Sequence, residues 1–100
     1  MEVQIHEIPA DFAKKIVENA EKYGVVNVDV ENRASLLDDM LDSKEEKLRY
    51  AQEKMEEGNV DKAVLVVRDG RGMLVINIED VVEIRIELED YKSILEQLPR

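Results

Sequence analysis

The sequence contains no cysteine, no tryptophan, one histidine and two prolines among its 100 residues. Without cysteine, the chain cannot form a disulfide framework, a thiolate zinc site, an iron–sulfur cluster or a cysteine nucleophile. The single histidine excludes a metal centre that takes two or three histidines from one chain. Only four aromatic residues are present, so few side chains can line an aromatic pocket. Several classes of enzyme and metalloprotein are therefore excluded.

Acidic residues outnumber basic ones by 24 to 14, which gives a net charge of −10. This balance argues against direct binding to nucleic acid or to an anionic membrane, since both need clustered Lys and Arg. No apolar run approaches the roughly 18 residues of a transmembrane helix, and the first residues lack the features of a signal peptide. We expect a soluble cytoplasmic protein. The 38 % content of charged residues is typical of a thermophilic source.

The chain reads as a single domain over residues 1–100, with no repeat, linker or low-complexity tract. Val3 and Ile5 alternate with polar residues and predict a short strand. Pro9 begins a helical pattern whose apolar stripe ends at Gly24. Valines that alternate with polar residues over 26–30 then predict a second strand with one solvent-exposed face.

Residues 32–57 read as helical, either as two helices meeting near Asp42 or as one kinked helix. Asn32 or Ser35 can cap the start, and Ser43 begins a second capping-box pattern within the stretch. The first half is expected to bury four apolar side chains: Leu36, Leu37, Met40 and Leu41. The second half is only weakly amphipathic, with three further apolar residues on one side: Leu48, Ala51 and Met55.

The C-terminal half is rich in strands. Residues 63–67 are apolar on both faces, and a turn centred on Gly70 and Arg71 returns the chain into a second strand over 73–78. The alternation over 82–88 predicts a third strand. To keep apolar side chains on one face, the connection before it must hold an odd number of residues, most simply 79–81, or include a bulge. Asp90 caps a short final helix.

The predicted element order is β-α-β-α(α)-β-β-β-α. Because the strands cluster in the second half, we predict an α+β fold: a mostly antiparallel sheet of four or five strands, with three to four helices mainly on one face.

No residues form a recognisable catalytic grouping. The segment from Asp69 to Gly72 has two glycines but lies between two strands, so it predicts a hairpin turn and no phosphate loop. The chain has no threonine, and Ser35 and Ser43 are explained as helix caps. His6 lies in a predicted strand without an identified partner. We expect a protein that is not an enzyme and that needs no cofactor.

An acidic cluster is the first candidate site. Seven acids and two bases lie between residues 29 and 46. An oxygen-only cluster suits Ca²⁺ or Mg²⁺, but the loop pattern of an EF-hand is missing. The alternative is a surface that attracts a basic, nucleic-acid-binding protein, for which the protein would act as a decoy or regulator. The residues proposed for this contact are Asp38, Asp39, Asp42, Glu45 and Glu46.

An apolar second sheet face is the other candidate site. The side chains expected there are Val64, Val66, Met73 and Val75. Leaving them in water forgoes several kcal/mol, at about 25 cal/mol per Å² of apolar surface. A homodimer that packs through this face or through a sheet edge would cover them. The sequence therefore favours a non-enzymatic, homodimeric protein-interaction module.

Overall fold

The computed structural model describes residues 2–35 and 40–98. These residues form five strands: β1 (Val3–Glu7), β2 (Val25–Asn32), β3 (Val60–Arg68), β4 (Arg71–Ile78) and β5 (Val82–Leu88). They also form three α-helices: α1 (Ala10–Glu18), α2 (Lys44–Glu57) and α3 (Tyr91–Gln97). A short 3₁₀ helix, Ala20–Tyr23, follows α1. No helix within 2–35 or 40–98 is long and apolar enough to span a bilayer.

The strands make one sheet in the order β1-β3-β4-β5-β2. Every neighbouring pair is antiparallel. Helices α1, α2 and α3 contact β3, β2 and β4 respectively and lie on the same face of the sheet. The predicted α+β class, with helices on one face, is confirmed. We call the helix-covered face the inner face and the opposite one the outer face.

The hydrophobic core fills the space between the inner face and the helices. Because successive strand residues point to opposite faces, alternate apolar residues of β3, β4 and β5 are completely buried. The largest of these side chains are Leu65, Leu74, Ile76, Ile84 and Ile86. Ile16 of α1, Leu48 of α2 and Ile94 of α3 pack into the same core cluster.

The β3–β4 hairpin turns at Asp69 and Gly70, where the backbone φ angles are 52° and 76°. Positive φ at both central residues is typical of the two-residue turn that matches the twist of paired strands. The pairing therefore runs Arg68 with Arg71 and Leu65 with Leu74. The predicted turn centre was wrong by one residue and the predicted register by two. A shift of two leaves every side chain on its predicted face.

The β4–β5 connection holds three residues, 79–81, so that Ile78 pairs with Val82 and Ile76 with Ile84. The predicted odd-numbered connection is confirmed. Helix α3 also begins as predicted, because the side chain of Asp90 accepts a hydrogen bond from the backbone N–H of Ser93 at 3.3 Å.

Residue 32 does not begin a helix, contrary to one of the two predicted starts; a helix that begins after Ser35 would lie partly outside the described residues. Strand β2 continues to Asn32, whose side chain accepts a hydrogen bond from the Ala34 N–H and closes a turn. Helix α2 starts only at Lys44, and Ser43 caps it by accepting from the Glu46 N–H at 3.0 Å. Met40, predicted to be buried, is 72 % exposed, because it precedes the helix. Leu36 and Leu37 lie outside the described residues.

Two smaller differences have local causes. Val26 is 51 % exposed because a bulge lies between Val25 and Asn27 and breaks the alternation there. Helix α1 ends at Glu18, where the Asn19 side chain donates to the Lys15 carbonyl oxygen. The apolar stripe continues into the 3₁₀ helix, and Gly24 follows it with a φ of 74°.

Candidate functional site

The outer face carries a continuous group of apolar side chains on β1, β3 and β4. Val66 pairs with Met73 and Val64 with Val75, so these four predicted residues form a compact block. On the other side of β3, Ile5 pairs with Val66 and extends the block to the sheet edge. We call this group the apolar patch: Val3, Ile5, Val64, Val66, Met73 and Val75.

The apolar patch is separate from the core. Ile5 is 67 % exposed and Val3 51 %, while the four central side chains are half-buried. All four lack contact with the core cluster that the helices form with the inner face. Since half-buried valines and methionines keep much of their surface in water, covering the patch would gain several kcal/mol at about 25 cal/mol per Å².

The rest of the outer face is charged but nearly balanced. Arg85 bridges two carboxylates, donating to Asp29 Oδ2 and to Glu83 Oε2, both at 2.8 Å. The described outer-face carboxylates are Glu7, Asp29, Glu31, Glu83 and Glu87, and the cations are Lys62, Arg68, Arg71 and Arg85. This face therefore has a net charge of about −1, although the chain as a whole carries −10.

The acidic cluster is only partly within the described residues. Asp38 and Asp39 lie outside them. Asp42, Glu45 and Glu46 are exposed around the start of α2. Glu46 accepts a hydrogen bond from the Ser43 hydroxyl at 3.1 Å, and acidic residues in a first helical turn are stabilised by the helix dipole. Local helix capping thus accounts for part of the cluster.

The next candidates are the titratable side chains of residues 2–35 and 40–98. No group of three His, Asp or Glu side chains in these ranges is placed to hold a metal ion. His6 is partly buried and its ring contacts the Gln4 side chain at 3.2 Å. Lys54 has a pKa raised above its ordinary value, because its ammonium donates to the Glu57 carboxylate, and it also lies 5.4 Å from the centre of the Tyr50 ring.

A groove lies beside β1, where the inner face meets the end of α3. Its volume is about 840 Å³. Apolar walls come from Ile8, Leu95 and Leu98, while Asp61 and Lys62 contribute charge. The groove is open to solvent and mixes apolar with charged walls, so it does not resemble the enclosed pockets that hold small molecules.

The fold and the site define an α+β protein with an antiparallel sheet whose inner face is covered by helices and whose outer face no helix of residues 2–35 and 40–98 covers. Comparisons with protein-family models, curated proteins and solved structures find no match to this chain.

Sequence reasoning placed Val64, Val66, Met73 and Val75 on one face but missed the contribution of β1. The strand itself was predicted from the alternation of Val3 and Ile5. Which strand it pairs with depends on a contact between residues more than 55 positions apart, which no local pattern encodes.

Proposed function

We propose that this protein is a non-enzymatic interaction module that self-associates as a homodimer through its outer sheet face. The observation that carries the proposal is the apolar patch, which no helix of the described residues covers. A second copy is the occupant that we propose, and two arguments support it.

The first argument is area. Five strands about 4.8 Å apart and about seven residues long at roughly 3.4 Å each give a face of about 24 Å by 24 Å. Two such faces in contact bury roughly 1,150 Å² if each is treated as flat, without the extra area of protruding side chains. Stable interfaces bury about 1,200–2,000 Å² in total, so contact over the whole outer face comes close to the lower end of that range.

The second argument is charge. Two copies that each carry −10 repel one another, so a stable contact requires a surface that adds little repulsion of its own. The outer face meets this requirement with its net charge of about −1. Its remaining charges are arranged around the patch, where solvent and rim contacts satisfy them.

Replacing Val66 by Lys should abolish the dimer. The substitution puts an ammonium at the centre of the patch, where the monomer leaves it in water but the dimer would bury it without a partner. We expect the dissociation constant to rise at least about 100-fold, the effect of losing a central interface residue. Sedimentation equilibrium measures this directly.

Val26→Lys is the matched control, because it makes the same change at an exposed valine on the far edge of the sheet. It should leave the dissociation constant within about two-fold of the unmodified protein. Equal effects of the two substitutions, or a monomer at all concentrations of the unmodified protein, would contradict the proposal.

Added salt should tighten the dimer. Screening reduces the repulsion between two acidic copies, whereas the apolar contact does not depend on ionic strength. Between about 0.05 M and about 0.5 M NaCl, we expect the dissociation constant to fall about two- to five-fold. Self-association that weakens with salt would instead indicate an interface held by ion pairs.

The acidic cluster supports a second candidate function, the binding of a basic nucleic-acid-binding protein. The exposure of Asp42 and Glu45 and the net charge favour it. Such a complex would weaken steeply with salt, which is the opposite of the dimer's response. The proposal includes a cytoplasmic location, which rests on the sequence expectation alone.

A further inference from the structure

The backbone of β1 presents unused hydrogen-bonding groups along one edge of the sheet. The Ile8 N–H donates to the Ala63 carbonyl oxygen at 2.9 Å. This bond shows which positions of β1 direct their backbone groups toward β3. In antiparallel pairs, hydrogen-bonded and non-bonded positions alternate. Val3, Ile5 and Glu7 therefore occupy the non-bonded positions, with their N–H and C=O groups directed away from β3. Since β1 is the last strand in the order, no strand of the described residues pairs with them.

The opposite edge of the sheet is protected. Strand β2 has a bulge between Val25 and Asn27, which interrupts the regular spacing of its backbone groups. The Lys44 ammonium donates to the Val25 carbonyl oxygen at 3.0 Å. Asp29 and Glu31 add exposed charges along the same strand. Bulges and edge charges are devices that block strand addition. Strand β1 carries one exposed carboxylate, Glu7, but its register is uninterrupted by a bulge.

The groove described above adjoins this open edge. Ile5, His6 and Glu7 of β1 line it together with Ile8, Leu95 and Leu98. A strand added beside β1 would direct every second side chain toward the inner face, and so into this groove. The edge supplies backbone hydrogen bonds, and the groove supplies apolar contact for alternate side chains.

We propose that the open edge of β1 binds an extended peptide segment of a partner protein by strand addition. Backbone pairing gives such complexes affinity, and pockets for alternate side chains give specificity. The segment would carry apolar residues at every second position, to fill the groove beside Leu95 and Leu98. Its intervening residues would be basic, because the whole chain carries −10 and the exposed Glu7 lies on the outer side of β1. In the groove itself, the charges of Asp61 and Lys62 offset each other.

This site uses different chemical groups from the dimer contact, although the side chains of Val3 and Ile5 belong to the apolar patch. Strand addition uses hydrogen bonds in the plane of the sheet, whereas the apolar patch points perpendicular to that plane. The peptide site therefore stands or falls independently of the proposed homodimer.

The test uses nuclear magnetic resonance with a pool of synthetic eight-residue peptides. Val, Ile or Leu alternate with Lys, Arg or Thr in each peptide. Members of the pool should shift the backbone amide signals of Val3, Ile5 and Glu7, with a dissociation constant below about 1 mM. The same peptides with alternate backbone nitrogens methylated cannot form the ladder and should leave these signals in place.

A pair of protein variants provides the second arm. Ile5→Pro removes an N–H that makes no bond within the fold, and proline is tolerated at such edge positions. It should weaken peptide binding at least about ten-fold, whereas Ile5→Val keeps the N–H and should change it less than about two-fold.

Three results would overturn the proposal. No shift of the three amides by any peptide at about 1 mM is the first. Equal binding of the methylated peptides is the second. The third is peptide binding by the Ile5→Pro variant that equals binding by the unmodified protein.

Discussion

Ile76→Ala should lower the free energy of unfolding by about 3–4 kcal/mol. Ile76 lies at the centre of β4, on the inner face, and is completely buried. Truncation removes buried methyl groups and leaves a cavity that the surrounding sheet and helices fill only partly, and such changes cost about 2–5 kcal/mol. Urea unfolding followed by circular dichroism measures the change.

Val75→Ala is the matched control, because Val75 is the adjacent residue of β4 and points to the outer face. In dilute monomer its truncation should cost about 1 kcal/mol or less, since the side chain stays half-exposed. At concentrations where the dimer forms, the cost should grow, because binding adds to the stability of the folded state. Equal losses of unfolding free energy for the two substitutions in dilute solution would contradict a core that lies on the inner face of the sheet alone.

Gly72→Ala should have the next largest effect, a loss of about 2–3 kcal/mol. Gly72 is buried on the inner face, where a Cβ would overlap the Cβ and ring of Tyr91. The Tyr91 Cβ is attached directly to the backbone of α3, so the overlap is relieved only if that helix moves. Thermal or urea unfolding gives the size of the loss.

Gly70→Ala separates this steric effect from backbone strain. A Cβ at Gly70 meets nothing within 4 Å, but the residue has a φ of 76°. Its substitution should cost only about 1–2 kcal/mol, the penalty of a left-handed conformation. If Gly70→Ala proved more destabilising than Gly72→Ala, close packing of α3 against β4 would be the wrong explanation.

The sheet was predictable from the sequence wherever local alternation and turn geometry determine it. The alternation over β5 required an odd-numbered connection from β4, and residues 79–81 provide it. The predicted β3–β4 register was wrong by two residues because the turn was placed one residue too late. The two residues of this hairpin with positive φ are Asp69 and Gly70, and the turn lies there. Face assignments survived this error since the side-chain period is two.

The stretch from residue 32 shows the limit of capping signals. Asn32 and Ser43 both resemble helix caps, and Ser43 accepts the hydrogen bond of the first turn of α2. Asn32 is instead held in β2, and its amide donates to the Tyr50 hydroxyl of α2 at 2.8 Å. A contact across 18 positions thus helps to hold residue 32 in the sheet, where local propensity favoured the start of a helix.

Only the part of the candidate interface that lies within one hairpin could be predicted from the sequence, because local patterns determine it. Val64, Val66, Met73 and Val75 belong to one hairpin, so alternation and a tight turn bring them together. The edge strand joins them only through its pairing with β3, which is a long-range contact. The open backbone edge follows from the strand order, and the sequence contains no signal for it.

The most direct test of the self-association proposal is an isotope-filtered nuclear Overhauser measurement on a mixture of carbon-13-labelled and unlabelled copies. The proposal predicts signals between the Met73 methyl group of one copy and valine methyl groups at 64, 66 or 75 of the other. Intermolecular signals from the exposed side of α2 alone, or their complete absence at about 1 mM protein, would contradict it.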